Sequence, residues 1–159
     1  MPDDLVQQAI RAGIRIACAE SCTGGMVTAA ITDVPGSSAV LDRGFVTYSN
    51  AAKIDMLGVD PATLQQFGAV SPEVAMQMAE GARRQARVDM AVSITGIAGP
   101  GGSEFKPEGR VCFGLAVAGK PTFVATVEFG ALGRDRVRRA ACAHALGLLF
   151  QAVCDVPEK

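Results

Sequence analysis

Three short apolar segments of the chain each run directly into a polar or glycine-rich break, and this repeated arrangement restricts the fold more than any other feature. The apolar segments, rich in β-branched and small residues as buried strands are, comprise residues 14–19, 41–48 and 90–94. The breaks that follow them comprise residues 20–25, 48–53 and 95–102. Helical patterns separate the strands, which indicates parallel pairing, and the carboxyl ends of parallel strands share one edge of a sheet. We therefore predict that the three breaks converge.

Helix signals and a hairpin complete the predicted architecture. Apolar spacing, capping residues and terminal glycines or prolines predict helices over residues 3–12, 26–32, 50–57, 61–67, 71–86 and 134–153. Only Gly119-Lys120-Pro121 separates the strands 111–118 and 122–129, and this is too short for a parallel crossover, so the two pair antiparallel. The predicted fold is α/β: one domain over residues 1–159, a three-layer α/β/α sandwich with a mixed, mostly parallel sheet of about five strands including one antiparallel strand.

The composition argues against several classes of partner. A net charge of −1 provides no general field for nucleic acid or an anionic membrane, and no apolar stretch reaches the roughly 20 residues that span a bilayer. No histidine, cysteine and carboxylate cluster has metal-ligand spacing, and the five cysteines include no C-x-x-C pair. We expect a cytoplasmic protein with reduced, buried thiols, no metal, no cofactor and a small-molecule partner. Apolar helix faces leave a homo-oligomer possible.

Ser21 is the candidate nucleophile. It follows the first strand in a turn with nearby glycines, where a hydroxyl can meet a carbonyl carbon in front of backbone amides. The alternative is structural, since Ser21 or Thr23 could simply cap the helix that begins near Gly24. The only histidine, His144, lies inside the apolar last helix, far from the glycine loops, so the sequence argues against a Ser-His-Asp triad.

Lys53 is the candidate base, because it follows the second strand by one helical turn and would enter the same crevice, where burial lowers a lysine pKa. The alternative is a solvated lysine on a surface helix. Tyr48, the sole tyrosine, could relay a proton or orient Ser21, or could only pack at a rim. Glu20 could hold Lys53 in place, or could face water.

The third break offers backbone amides. The loop 95–102 (TGIAGPGG) presents many N–H groups with little side-chain bulk, which suits an oxyanion or a phosphate, although flexible-loop glycine is the alternative. It lacks the Gly-Lys-Ser/Thr ending of a nucleoside-triphosphate loop and the G-x-G-x-x-G pattern of a dinucleotide loop. Arginines 134, 136, 138 and 139 gather at the start of the last helix, where they could bind a phosphate or form a solvated basic face.

Four motifs follow one another along the chain: residues 19–25 (AESCTGG), 44–53 (GFVTYSNAAK), 68–71 (GAVS) and 93–100 (SITGIAGP). In this order they resemble the CinA carboxy-terminal domain family and its stand-alone nicotinamide-nucleotide amidohydrolases. The resemblance spans nearly the whole chain and is more specific than one glycine loop. The segment from Gly99 to Gly109 departs from the family pattern, because it is slightly shorter and has Phe105 where a polar residue is commoner.

The resemblance implies a three-layer sandwich and hydrolysis of the carboxamide of nicotinamide mononucleotide to nicotinic acid mononucleotide and ammonia, in pyridine-nucleotide recycling. It implies Ser21 as nucleophile, Lys53 as general base and Tyr48 as its helper, with no cofactor. The residues expected to bind substrate are Glu20, Cys22, Thr23, Gly24, Thr95, Gly96, Gly99, Gly101, Arg134 and Arg138. The amino-terminal domain of longer members is missing, so ADP-ribose pyrophosphatase activity is expected to be absent.

Two other classes of function remain open at this point. A non-catalytic ligand-binding or protein-interaction module, linked to competence or DNA damage, is the main rival, and intact Ser21, Tyr48 and Lys53 argue against it. A phosphotransfer enzyme would need a metal-binding carboxylate near the glycine loop, where the chain offers only Glu104 and Glu108.

Overall fold

A computed structural model describes residues 1–103 and 105–159. The helices are α1 (Pro2–Ala12), α2 (Met26–Thr32), α3 (Asn50–Leu57), α4 (Pro61–Phe67), α5 (Pro72–Ala86) and α6 (Arg134–Cys154), with a 3₁₀ turn at Ser37–Ala39. The strands are β1 (Ile16–Glu20), β2 (Leu41–Val46), β3 (Met90–Gly96), β4 (Arg110–Val117) and β5 (Phe123–Glu128). In the described part of the chain, no helix is both long enough and apolar enough to cross a membrane.

The five strands form one sheet in the order β2-β1-β3-β4-β5. Strand β1 pairs parallel with β2 and β3, whereas β4 pairs antiparallel with both β3 and β5. Strand β4 is therefore the one antiparallel strand, and the predicted mixed, mostly parallel sheet is confirmed. The short connection between β4 and β5 requires these two strands to be antiparallel, because it cannot carry the chain back to the start of a parallel strand.

Helices cover both faces of the sheet, and the alternation of side chains along β1 shows how. Ile16 and Cys18 belong to the core beneath α1, α2 and α6. Ala17 and Ala19 belong to the core beneath α3, α4 and α5. Every residue of β1 is buried, as expected for a central strand covered on both sides. The three-layer sandwich expected from the sequence is confirmed.

The register of the sheet brings the ends of three strands to one edge. Glu20, the last residue of β1, lies opposite Val46, the last residue of β2, and opposite Ile94 of β3, which continues for two more residues to Gly96. Ser21 is the first residue beyond β1 and therefore lies at this edge.

Element boundaries differ from the sequence predictions at a few ends. Ile14 does not begin β1, because its N–H donates to Ala9 O as part of the α1 carboxyl-terminal cap at Gly13. Strand β2 ends at Val46, so Tyr48 lies beyond the strand. Serine side chains cap two of the helices. Ser49 Oγ accepts the Ala52 N–H at 3.0 Å at the start of α3, and Ser71 Oγ accepts the Val74 N–H at 3.3 Å at the start of α5.

We expect Gly81→Ala to lower the free energy of unfolding by about 1–3 kcal/mol, the usual range for overpacking. Gly81 lies within α5, and a Cβ there would overlap the backbone carbonyl of Leu57. Gly147 of α6 is the matched control, because a Cβ there would meet nothing within 4 Å. Gly147→Ala should raise stability by roughly 0.5–1 kcal/mol through helix propensity. Urea denaturation measures both variants, and equal stability of the two would contradict the close approach of α3 and α5.

Candidate active site

A buried lysine and a serine meet at the carboxyl edge of the sheet. Lys53 Nζ lies 3.0 Å from Ser21 Oγ and 2.7 Å from the backbone carbonyl oxygen of Thr47. Lys53 is only 1% exposed although it sits on a helix, so the alternative of a solvated surface lysine is wrong. Lys53 lies one turn into α3, and from there its side chain extends to Ser21 at the end of β1.

Burial lowers the pKa of Lys53 to about 8, and the Cys22 thiol beside it acts weakly in the opposite direction. Among the described residues, no carboxylate lies within ion-pair distance of Lys53, so nothing compensates the ammonium charge fully. A lysine with such a pKa is partly neutral near pH 7.5, and the neutral amine has a lone pair that can accept the proton of a hydroxyl.

Glu20 is fully buried and organises the turn that carries Ser21. Its carboxylate accepts hydrogen bonds at 2.6–3.2 Å from the Thr23 hydroxyl, the Gly25 and Val27 N–H groups, and both the N–H and the hydroxyl of Thr28. These are donors at the start of α2 that would otherwise lack a partner. Glu20 neither holds Lys53 nor faces water, so both alternatives considered from the sequence are wrong.

The capping alternative for Ser21 is also wrong. The N-cap position of α2 is occupied by Gly25, which has no side chain to cap the helix. The Glu20 carboxylate accepts the Val27 N–H at the start of the helix instead. Ser21 Oγ is left to Lys53, while the Ser21 N–H donates to Ile94 O at 3.0 Å and fixes the turn to β3. The hydroxyl is thus held by the backbone on one side and the lysine on the other.

A cavity of about 320 Å³ opens in front of Ser21 and Lys53. All three breaks contribute to its wall, which confirms that they converge. Of the predicted site residues, its lining includes Ser21, Cys22, Tyr48, Lys53, Thr95, Gly96, Gly99, Gly101 and Arg134. The lining does not include Glu20, Thr23, Gly24 or Arg138, whose predicted contact with substrate gains no support from this geometry.

Four lining residues had no predicted role: Asn50, Ala69, Val70 and Ser103. Asn50 is the first residue of α3, after the cap Ser49, and its place one helical turn before Lys53 is a signal that the sequence does contain. Ala69 belongs to the motif 68–71, for which the sequence predicts no role. The carbonyl oxygen of Ala69 accepts the Thr95 hydroxyl at 2.8 Å, which connects the wall of the cavity to the end of β3.

Tyr48 and Arg134 stand together at the mouth. The Arg134 guanidinium donates to Tyr48 Oη and to the Gly99 carbonyl oxygen, each at 2.7 Å. Tyr48 is 61% exposed, and its hydroxyl makes no hydrogen bond to Ser21 or Lys53. The pair connects the break after β2 to the glycine loop and places a cation at the opening.

Arg138 has a different position from Arg134. It is partly buried and donates to the carbonyl oxygens of Cys22 at 3.0 Å and Thr23 at 3.2 Å. It therefore supports the turn after Ser21 from behind, one helical turn further along α6. Of the four arginines considered for a phosphate, only Arg134 lines the cavity.

The glycine loop is anchored at both sides. The Glu108 carboxylate accepts the Gly101 N–H at 2.7 Å and the Gly133 N–H, just before α6, at 3.3 Å. Lys106 Nζ donates to the carbonyl oxygens of Phe67 and Val70 at 2.7 and 2.6 Å. Glu108 thus has a structural role, while Glu104, the other acid considered for phosphotransfer, lies outside the described residues. Phe105 is fully exposed and is not part of the cavity wall.

Backbone amides near Ser21 differ in their availability. The Gly24 N–H donates to Ser21 O at 3.0 Å, and the Gly25 N–H donates to Glu20. Within residues 1–103 and 105–159, no acceptor is found for the N–H groups of Cys22 and Thr23. Of these two residues, Cys22 lines the cavity and Thr23 does not, so the Cys22 amide is the one placed to stabilise negative charge there.

His144 and the cysteines lie apart from this chemistry. His144 packs on Phe113 with a ring-centroid distance of 4.5 Å, as a partly buried helix residue. Four of the cysteines are buried free thiols, whereas Cys154 is exposed, which corrects the expectation that all are buried.

The fold and the cavity together define a class: a three-layer α/β protein with a buried lysine and a serine at the carboxyl edge of its sheet. The chain matches the CinA C-terminal domain over residues 1–153 and belongs to that family. It is 54% identical over 148 residues to nicotinamide-nucleotide amidohydrolase PncC of Escherichia coli K12, covering 92% of this chain and 89% of that protein. It is 52% identical to a CinA-like protein of Anaeromyxobacter dehalogenans, covering 96% of this chain but 37% of that protein.

Solved structures of the same family superimpose closely. The competence/damage inducible protein of Agrobacterium tumefaciens has a TM-score of 0.87 at 44% identity, with 96% of each chain covered. A CinA superfamily protein of Escherichia coli has a TM-score of 0.91 at 35% identity, covering 95% of this chain and 87% of that one.

The lowered pKa of Lys53 predicts a pH-dependent difference in stability between the parent and Lys53→Met. The pKa is about 8 in the folded protein and near 10.5 in the unfolded chain, so the unfolded chain binds more protons between these values. The free energy of unfolding of the parent, minus that of the variant, should therefore rise from pH 8 to pH 10.5. Urea denaturation at a series of pH values measures it, and a flat difference would mean that Lys53 has an ordinary pKa.

Proposed function

We propose that this protein hydrolyses the carboxamide of nicotinamide mononucleotide, releasing ammonia and nicotinic acid mononucleotide. The observation that carries the proposal is the 3.0 Å contact between Lys53 Nζ and Ser21 Oγ inside a cavity large enough for a small molecule. The substrate class follows from similarity to PncC over most of the chain. A binding module would gain nothing from a buried lysine that costs free energy to desolvate.

In the first step, neutral Lys53 takes the Ser21 proton as Oγ attacks the carboxamide carbon. The carbon becomes tetrahedral, and its oxygen carries the negative charge. The N–H group of Cys22, a residue that lines the cavity directly after the attacking serine, is the proposed donor to that oxyanion. Thr47 O accepts a hydrogen bond from Lys53 and keeps the amine directed at Ser21.

In the second step, protonated Lys53 gives its proton to the amide nitrogen, the C–N bond breaks and ammonia leaves. The product of this step is an ester between Ser21 and the pyridine carboxylate. Lys53, neutral again, then activates a water molecule that attacks the ester and restores the Ser21 hydroxyl. This cycle would supply a nicotinate nucleotide for pyridine-nucleotide recycling.

Arg134 is proposed to meet the 5′-phosphate. It is the cation at the mouth of the cavity, whereas Arg138 is committed to two backbone carbonyls behind the turn. A guanidinium suits a phosphate because it donates two parallel hydrogen bonds. Tyr48 is proposed to orient Arg134, since its hydroxyl contacts that residue and not the serine or the lysine.

Ser21→Ala and Lys53→Met should each lower ammonia release from nicotinamide mononucleotide by at least ~10³-fold, as expected when a nucleophile or its base is removed. Ser38→Ala, an exposed serine outside the cavity, is the matched control and should release ammonia at the parent rate. Cys22→Ala should also retain turnover. An active, folded Ser21→Ala variant would refute the nucleophile, and loss of activity in Cys22→Ala alone would transfer the role to the thiol.

Arg134→Gln should raise KM for nicotinamide mononucleotide roughly tenfold, the factor expected when one hydrogen bond to a charged group is lost. Tyr48→Phe should raise KM in the same direction but less. The riboside, which lacks the phosphate, should be hydrolysed equally well by the parent and Arg134→Gln. Steady-state kinetics on both substrates decide, and equal losses on nucleotide and riboside would place the phosphate elsewhere.

A further inference from the structure

A second cavity, of about 830 Å³, opens at the opposite edge of the sheet from Ser21. It is bounded by the last turn of α5, by Val88 just before β3, and by the hairpin between β4 and β5. Val117, the last residue of β4, lies opposite Met90, the first residue of β3, which fixes this cavity to the amino end of the parallel strands. None of its lining residues belongs to the cavity of Ser21 and Lys53.

Four cationic side chains line this second cavity: Arg83, Arg84, Arg87 and Lys120. Glu80 is the acidic residue among its lining. Such a local excess is notable because the whole chain has a net charge of −1. The four cations come from two separate elements, the end of α5 and the β4–β5 hairpin, and all of them line the same cavity.

Among the described residues, these cations lack the carboxylate partners that five arginines elsewhere in the chain have. Arginines that form ion pairs with carboxylates are Arg11, Arg15, Arg43, Arg110 and Arg139. In the described part of the chain, none of the four cavity cations has a carboxylate oxygen within ion-pair distance. Unneutralised positive charge in a concave site concentrates anions there.

Helix capping explains only part of this cluster. Arg83 and Arg84 lie in the last turn of α5, where cations are favoured, and each donates one hydrogen bond, to Val88 O at 3.3 Å and to Leu57 O at 3.5 Å. Their other N–H groups remain available. Lys120 belongs to the hairpin, so the helix dipole does not account for it, and the exposed side chains of Arg87 and Lys120 donate to no acceptor in the described residues.

We propose that this cavity, here called the basic cavity, binds an anion that carries two or more linked phosphates. Guanidinium groups recognise phosphate oxygens in pairs, and Arg83, Arg84 and Arg87 with Lys120 opposite offer more charge than one phosphate requires. The volume accommodates a nucleoside triphosphate or an inorganic polyphosphate chain. The Thr122 hydroxyl in the lining adds a neutral polar group. The proposal does not depend on the reaction at Ser21.

The test is isothermal titration calorimetry of the full chain with inorganic tripolyphosphate and, separately, with ATP, both without divalent cations. The double variant Arg87→Gln/Lys120→Gln removes the two cations whose side chains make no hydrogen bond or ion pair within the described residues. We expect its affinity for tripolyphosphate to fall roughly a hundredfold, about tenfold for each cation removed. Equal losses for ATP and tripolyphosphate identify the phosphates as the recognised part, and tighter binding of ATP identifies a nucleotide as the ligand.

Two controls make the outcome specific. Arg43→Gln/Arg139→Gln changes the net charge equally and should bind like the parent, as should Arg134→Gln, which alters the cavity of Ser21. Three results would overturn the proposal: no heat of binding with either anion, equal weakening in the charge-matched control, or weakening in Arg134→Gln alone. Binding of a single-stranded oligonucleotide without binding of tripolyphosphate or ATP would also overturn it, in favour of a nucleic-acid surface.

Discussion

The hydrogen bond between Lys53 and Ser21 is the interaction around which this structure is organised. Removing a lysine ammonium from water costs of the order of several kcal/mol unless strong partners replace the solvent. Lys53 has only a serine hydroxyl and the carbonyl oxygen of Thr47, and no carboxylate among the described residues. Burial therefore lowers the pKa of Lys53 to about 8 and increases the fraction of neutral amine, which is the form that can remove a proton from a hydroxyl.

The surrounding residues hold this pair in place rather than react. The register of β1, β2 and β3 brings their ends to one edge of the sheet, and the Glu20 carboxylate accepts N–H groups at the amino end of α2 behind Ser21. Arg138 holds the two carbonyls that follow Ser21. Each of these groups lies outside the cavity, yet a displacement of any of them would move the hydroxyl relative to the lysine.

The sequence was sufficient for the fold and for the meeting of Ser21 with Lys53, because both follow from strand ends and the rule that parallel strands share an edge. It was not sufficient for Glu20 and Arg138, which were expected near substrate but bind backbone groups of the turn. A charged side chain next to a serine looks the same in sequence whether it faces a ligand or satisfies buried amides. The anchoring roles of Glu108 and Lys106 depend on long-range contacts that no local pattern encodes.

The protonation state of Lys53 in the folded protein is the measurement that tests this account most directly. The chain has four lysines, Lys53, Lys106, Lys120 and Lys159, so ¹³Cε labelling gives a spectrum simple enough to assign with Lys53→Met. The account predicts that the Lys53 signal titrates near pH 8, as burial of the amine requires. A Lys53 signal that titrates near 10.5, the ordinary value, would contradict it and leave Ser21 without a base.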